Sequence, residues 1–373
     1  MTHPTVNETP GTVRARYEQE CARLGYEHDP AQARIVALLD DLRERLLAAR
    51  PRTGGLVSRL LGQRRRHAPV RGLYLWGGVG RGKTWLMDLF FHSLPLQEKQ
   101  RSHFHRFMQF VHEQLKLHRE RADPLEAVAE RIARQTRVLC FDEFFVNDIA
   151  DAMLLGNLLR GLFARGVTLV ATSNIPPAQL YKDGLQRARF LPAIHLLETH
   201  TEVVHIEDGA DYRLRRLERA PTWFDAAKPD TNARLERLFT ELAGTPGKQN
   251  VTLTINHRTL RALREDTGIA WFDFATLCAG PRSQEDYIEL ARCYHTVLLS
   301  DIPLLTEQHE NPARRFIALV DEFYDRGVKL IASAYAPVAG LYAGTRLVFE
   351  FERTRSRLTE MQSHAYLARA HRP

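Results

Sequence analysis

The most chemically committed stretch of the chain is Gly77-Gly78-Val79-Gly80-Arg81-Gly82-Lys83-Thr84, which fits GxxxxGK[ST]. Glycines let successive backbone N–H groups turn inward around a phosphate without Cβ clashes, and a helix opening there adds its positive end. Lys83 is expected to reach the β- and γ-phosphates, and Thr84 to give its hydroxyl to Mg²⁺. The whole octet is the expected cradle of a nucleotide. A chance glycine-rich turn is the bland alternative. The apolar run before the octet and the helical pattern after it weigh against that.

Two further groups fall in the order such a site needs. Val138-Leu139-Cys140-Phe141 buries a strand and delivers Asp142 and Glu143 at its C-terminal end, where an open α/β sheet places its ligands. Asp142 is expected to hold Mg²⁺ through its water shell, and Glu143 to polarise the water that attacks the γ-phosphate. Asn174 ends the next apolar run, Leu169-Val170-Ala171-Thr172-Ser173, where it would orient that water. Its rival role is to cap the turn before Pro176-Pro177. Arg187, with Arg189 close behind, is the candidate for an arginine offered to a neighbouring copy's nucleotide. Both could equally be surface arginines on a short helix. Arg282, in Gly280-Pro281-Arg282-Ser283, opens a helix where a lid is expected and is the candidate intrasubunit sensor. His103, His105 and His112 tempt a metal reading. Alternation sets His103 and His105 on one strand face, but no carboxylate is spaced with them, and structural histidines are the better account.

These residues need a scaffold, and the hydrophobic pattern supplies one. From Val13 to Ala49 apolar residues recur at helical spacing, with a break from Gly25 to Pro30 and Asp29 as N-cap. After that arm, continuous apolar runs at 72–76, 138–141 and 167–171 alternate with helical segments, which predicts an α/β fold with a parallel sheet. Glu202–Ile206 is a further strand. Beyond Pro221 the alternation weakens, leaving strands at 251–256 and 269–274 and a helix over 283–293. The domains read as a tail and helical arm (1–66), a nucleotide-binding core (67–210), and a lid with a C-terminal α/β extension (211–373).

The chain has 373 residues, and 52 Lys+Arg against 45 Asp+Glu give a net charge of +7. With 44% hydrophobic and 26% charged residues, wholesale disorder and fibrous classes fall away. Cys21, Cys140, Cys278 and Cys293 form no CxxC or Cys/His ligand spacing, so neither a zinc ribbon nor a disulfide framework is indicated. No leader pattern opens the chain and no apolar run nears the length of a spanning helix, so a cytoplasmic protein is expected. The densest basic cluster, Arg64-Arg65-Arg66-His67, reads first as an exposed loop, with a phosphate contact as the sharper alternative.

Residues 164–181 align without gaps with residues 325–342, with nine of the 18 positions identical. Upstream, Val297–Asp301 parallels Val138–Asp142. The C-terminal part is therefore expected to echo the strand–helix–strand of the core without its chemistry, Ile302 standing for Glu143 and Tyr335 for Asn174. Neighbouring parallel strands at 297–301 and 328–333 are what this requires.

An Asp-Glu after a buried strand, downstream of the phosphate loop, is the AAA+ arrangement. No NKxD for guanine and no LSGGQ-like signature occurs, so ATP is the expected nucleotide. Longer strings are more specific. LYLWGGVGRGKTWLMDLFF, HFHRFM, VLCFDEFFVNDIADAMLL, LVATSNIPPAQLY, GLQRARFLPAI, DYRLR and RRFIALVDEFYDRGVKL together resemble the ZapE family of bacterial cell-division ATPases and its mitochondrial relatives, from about Tyr17 to the C-terminus. The resemblance implies a P-loop NTPase core, ATP and Mg²⁺ as cofactors, and an AAA+ homo-oligomer. It also implies FtsZ as partner and peripheral association with the inner face of the membrane at the division site. A nucleic-acid-linked ATPase resembling helicase loaders is one rival, motivated by the charge and the Arg64–Arg66 loop. A nucleotide-switched adaptor without turnover is the other.

Overall fold

The computed structural model describes residues 11–24, 29–49, 51–52, 66–67, 70–78, 82–206, 217, 220–256 and 258–372. Arg64, Arg65 and the DYRLR string lie outside them. The chain divides into two units, Met1–Ala210 and Asp211–Pro373.

In the first unit, α1 (Val13–Leu24) and α2 (Pro30–Ala48) form the arm. The Asp29 carboxylate caps α2 by accepting from the amides of Ala31 and Gln32 at 2.8 and 3.4 Å. The two-residue strands β1 (Pro51–Arg52) and β2 (Arg66–His67) pair antiparallel. Then follow β3 (Gly72–Trp76), α3 (Lys83–Ser93), β4 (Lys99–His103), α4 (Phe104–Leu117), α5 (Pro124–Gln135), β5 (Val138–Asp142), α6 (Ile149–Ala164), β6 (Thr168–Ser173), α7 (Leu191–His200) and β7 (Thr201–His205). The five longer strands make one parallel sheet in the order β4-β5-β6-β3-β7.

Two apolar clusters cover its faces. One joins Tyr17, Ile35, Leu39 and Leu42 of the arm to Leu86, Met87 and Phe90 of α3 and to Leu73 and Leu75 of β3. Each such buried side chain contributes roughly 1.5–3 kcal/mol. The arm is thus part of the same core as the phosphate loop's helix. The other cluster packs Phe104, Phe107, Leu155, Leu158 and Leu162 against Phe141 and Leu169.

The second unit contains β8 (Trp223–Asp225), α8 (Thr231–Ala243), β9 (Lys248–Ile255), β10 (Arg258–Asp266), β11 (Ile269–Asp273), α9 (Gln284–Cys293), β12 (Thr296–Ile302), α10 (Glu310–Asp325), β13 (Lys329–Ala334), α11 (Val348–Met361) and α12 (His364–Leu367). Its sheet runs β8-β13-β12-β11-β10-β9, with the first four strands parallel and β9–β10 an antiparallel pair. Strand β10 has no counterpart in the sequence reading, because Arg258, Arg261 and Arg264 interrupt its apolar residues.

The strands at 297–301 and 328–333 are indeed parallel neighbours. The likeness extends further. The order β8-β13-β12-β11 repeats β3-β6-β5-β4, so β8 and α8 occupy the places of β3 and α3. Helices α6 and α10 both have 16 residues, β6 and β13 both have six, and a three-residue 3₁₀ turn follows each strand. Register also corrects the sequence alignment by one residue. Phe141 pairs with Ala171 as Leu299 pairs with Ala332, so Ser300 stands for Asp142, and Asp301, not Ile302, stands for Glu143. Glu143 and Asp301 share a left-handed backbone (φ 51° and 62°). Their amides donate to equivalent hydroxyls, Thr172 Oγ1 at 3.3 Å and Ser333 Oγ at 3.0 Å.

Candidate functional site

The site forms where β3, β5 and β6 end together. Val79, Gly80 and Arg81 lie outside the described residues; the two ends of the loop are defined. Gly77 (φ 151°) leaves β3 in a conformation that L-residues avoid, and a Cβ there would come within 2.6 Å of the Ile206 carbonyl oxygen at the end of β7. Gly82 (φ 73°) is the N-cap of α3, and a Cβ would meet the Gln32 side chain at 3.0 Å. Gln32 accepts a hydrogen bond from the Tyr17 hydroxyl at 3.3 Å, and the Tyr17 ring lies 5.4 Å from that of Trp85. The arm therefore reaches the loop. Lys83 is buried, and its Nζ donates to the carbonyls of Gly77 and Gly78 at 2.8 and 2.6 Å. Thr84 follows in the first turn of α3.

Opposite, β5 is buried at all five positions and ends on Asp142. Two groups hold its carboxylate. The Arg101 Nε donates to Oδ2 at 2.7 Å, and the Thr172 hydroxyl approaches Oδ1 at 3.4 Å. Thr172 also accepts from the Glu143 amide, so one hydroxyl on β6 links both carboxylate-bearing residues. Phe144 anchors the turn by donating its amide to the Thr172 carbonyl at 2.7 Å. His103 ends β4 opposite Asp142, and burial holds its imidazole below the ordinary value, in spite of Glu143 and Asp142 nearby. Burial likewise pushes the Cys140 thiol up to about 12, which removes it from chemistry.

Asn174 sits directly after β6, exposed, and its side chain has no partner among the described residues. Arg187 is half-buried in a 3₁₀ turn, its guanidinium donating to the carbonyls of Leu180 and Ala178, both at 2.7 Å; Arg189 is exposed. Arg282 lies in the second unit, where it donates to the carbonyls of Thr276 and Thr259 at 3.3 and 3.1 Å. Ser283 next to it opens α9 with a capping box closed by Asp286. The structure thus brings Gly77, Gly78, Gly82, Lys83 and Thr84 to the same sheet edge as Asp142, Glu143 and Asn174. Arg187 is held by carbonyls of the 178–180 segment, and Arg282 by those of Thr276 and of Thr259 on β10.

The histidine reading needs correction. Strand β4 stops at His103 and α4 begins at Phe104, so His105 is helical and contacts Gln109, four residues on. His112 does have a carboxylate partner, Asp151 on α6, at 2.6 Å. That partner is remote in sequence. Among the described residues no group of three or more His, Cys, Asp or Glu is placed to hold a metal.

Thr84 and Asp142 are hard oxygen donors of the kind Mg²⁺ takes alongside water and phosphate oxygens. They fit such an ion here, because among the described residues Asp142 Oδ1 carries only the long contact from Thr172. Sequence reasoning missed Arg101 and Thr172 as site residues and set His103 aside as a structural histidine. The signal was present in part: Arg101 and His103 share one face of a strand, but only the β4–β5 register brings that strand beside Asp142.

A parallel sheet with a glycine loop between β3 and α3, and an acidic pair ending the strand beyond the adjacent one, defines a P-loop NTPase of the AAA+ class. The chain belongs to the AFG1-like ATPase family, which matches residues 11–370. It is an ATPase. It is 51% identical over 368 residues to the Cell division protein ZapE of Escherichia coli (strain K12), covering 96% of this chain and 98% of that one. It is 38% identical over 346 residues to the Lactation elevated protein 1 homolog B of Danio rerio, covering 80% and 68%. Among solved structures, the AMPPCP-bound DnaA from Aquifex aeolicus aligns with a TM-score of 0.35 and 15% identity, covering 52% of each chain. Among the described residues no helix is long and apolar enough to cross a membrane.

Proposed function

We propose that the chain hydrolyses ATP with Mg²⁺ and uses the cycle to remodel a protein assembly of the division machinery, namely FtsZ polymers. The observation that carries the hydrolytic half is that Lys83, at the mouth of α3, and the Asp142–Glu143 pair, which Thr172 holds, lie at the same sheet edge. The division half rests on the strings quoted above and on the name of the Escherichia coli relative.

Lys83 exchanges its two loop carbonyls for β- and γ-phosphate oxygens, with the amides of Gly77 to Thr84 around them. Thr84 and Asp142 would hold the Mg²⁺, Asp142 through water, and the ion would supply neutralisation of charge on the phosphate oxygens. Glu143 accepts a proton from the attacking water, and Asn174 orients that water. In an oligomer, Arg187 swings from its turn to stabilise the neighbouring copy's transition state. Peripheral attachment at the inner face of the membrane would place the enzyme at the division site.

The test is ATP turnover measured with FtsZ, with single-stranded DNA and with neither, on wild type and Glu143→Gln. Stimulation by FtsZ alone, lost in the variant, is expected. Stimulation by DNA alone, with steep salt dependence, would instead favour the helicase-loader reading. Slow turnover that Glu143→Gln leaves unchanged would point to the nucleotide-switched adaptor.

A further inference from the structure

Arg101 is the buried charge whose position nothing in the phosphate-loop pattern requires. It lies on β4, opposite Cys140, with a side chain only 12% exposed. Its Nε donates to Asp142 at 2.7 Å, its Nη1 pairs with Asp88 on α3, and its Nη2 is buried without a hydrogen-bond partner. Asp88 lies one turn beyond Thr84, on the same face of the helix. One guanidinium thus ties the helix after the phosphate loop to the carboxylate at the end of β5. A planar fork suits this double pairing; a point charge on a flexible stem would not make it.

Charge decides what the arrangement does. Asp88, Arg101 and Asp142 together carry a single net negative charge. With Asp88 present, its negative charge offsets much of the guanidinium's positive potential where a cation would sit beside Asp142. Without Asp88, that positive potential is uncompensated and opposes the cation. Arg101 also takes only Oδ2, which leaves Oδ1 for a water of the ion's shell.

We propose that Arg101 is a positioning residue that orients Asp142, and that Asp88 is the counter-charge that sets how strongly the site takes Mg²⁺. This rests on the nucleotide reading above. It adds a prediction of sign that the general mechanism does not contain.

The experiment uses the full chain and a fluorescent non-hydrolysable ATP analogue, with affinity measured without metal and across a Mg²⁺ titration. Asp88→Asn removes a nearby negative charge and is expected to raise the Mg²⁺ concentration for half-maximal tightening, by roughly tenfold. Arg101→Gln keeps a donor to Asp142 and removes the positive charge, so the half-point is expected to fall severalfold. Metal-free affinity for the anionic analogue is expected to shift the opposite way, tighter in Asp88→Asn and weaker in Arg101→Gln. Loss of packing alone would move both variants in one direction, so opposite shifts are the signature. Equal half-points in wild type and both variants, or shifts of the same sign, overturn the proposal. If Arg101→Gln does not fold, Asp88→Asn decides alone: a raised half-point supports it and an unchanged one refutes it. Should wild type show no Mg²⁺-dependent tightening at all, the nucleotide-site reading itself has failed.

Discussion

Thr172→Val is a sharp probe of how the site is held together. The hydroxyl is buried and serves two residues: it approaches Asp142 Oδ1 at 3.4 Å and accepts the Glu143 amide at 3.3 Å. Valine keeps the branched shape and removes both bonds. Contacts this long sit at the low end of the usual ~0.5–1.5 kcal/mol each. The stranded amide adds about 1 kcal/mol, at the low end because Glu143 is only half-buried. The total is about 2 kcal/mol. For a unit of this size that lowers the melting temperature by roughly 4–8 °C. The catalytic effect follows from geometry. Glu143 holds a left-handed backbone (φ 51°) whose amide would lose this acceptor, so the carboxylate proposed to activate the water would drift out of place. A fall in kcat of roughly ten- to a hundredfold is expected, with KM little changed. Differential scanning calorimetry and steady-state turnover read both, and Thr172→Ser restores both. The equivalent change in the second unit, Ser333→Ala, removes the bond to Asp301 and destabilises without touching turnover. Identical melting and turnover in Thr172→Val and wild type would refute the reasoning.

Other expectations can be checked directly. The chain should bind one nucleotide at saturation by equilibrium dialysis. Where the first unit has its phosphate loop, the second has Ala226-Ala227-Lys228-Pro229-Asp230, with a proline that has no N–H to offer and Asp225 already accepting the Ala227 amide at 2.9 Å; two nucleotides per chain would contradict this. Stability should fall between pH 7.5 and 5.5. Burial holds His200 below its ordinary value of about 6.5, so the unfolded chain takes the proton first, and the loss sets in as pH drops through that value. His200 stacks on Phe163 at 4.2 Å, so His200→Phe should flatten the slope of the urea midpoint against pH. All four cysteines are buried and outside disulfides, so a thiol reagent should titrate none in the native protein and four in denaturant.

Much of the candidate site was legible because its residues are local in sequence. The phosphate loop needs its glycines and lysine in one octet, and a buried parallel strand writes itself as a continuous apolar run ending on its carboxylates. The arm was legible for a similar reason, since Asp29 caps α2 across a clear break. What could not be read depends on register. Arg101 and Thr172 meet Asp142 only because β4 and β6 flank β5. Register also shifted the internal repeat by one residue, replacing Ile302 with Asp301 opposite Glu143. His105 was misplaced because β4 gives way to α4 without a glycine or proline to mark the change. Strand β10 was hidden by its arginines; of these, Arg264 is buried and pairs with Glu236.

Single-turnover ATP hydrolysis by wild type and Glu143→Gln, at matched nucleotide occupancy, tests the central claim most directly. The variant should bind ATP within about threefold of wild type and hydrolyse it roughly 10²–10⁴ times more slowly. A rate within twofold of wild type would show that the carboxylate after Asp142 does not activate the water.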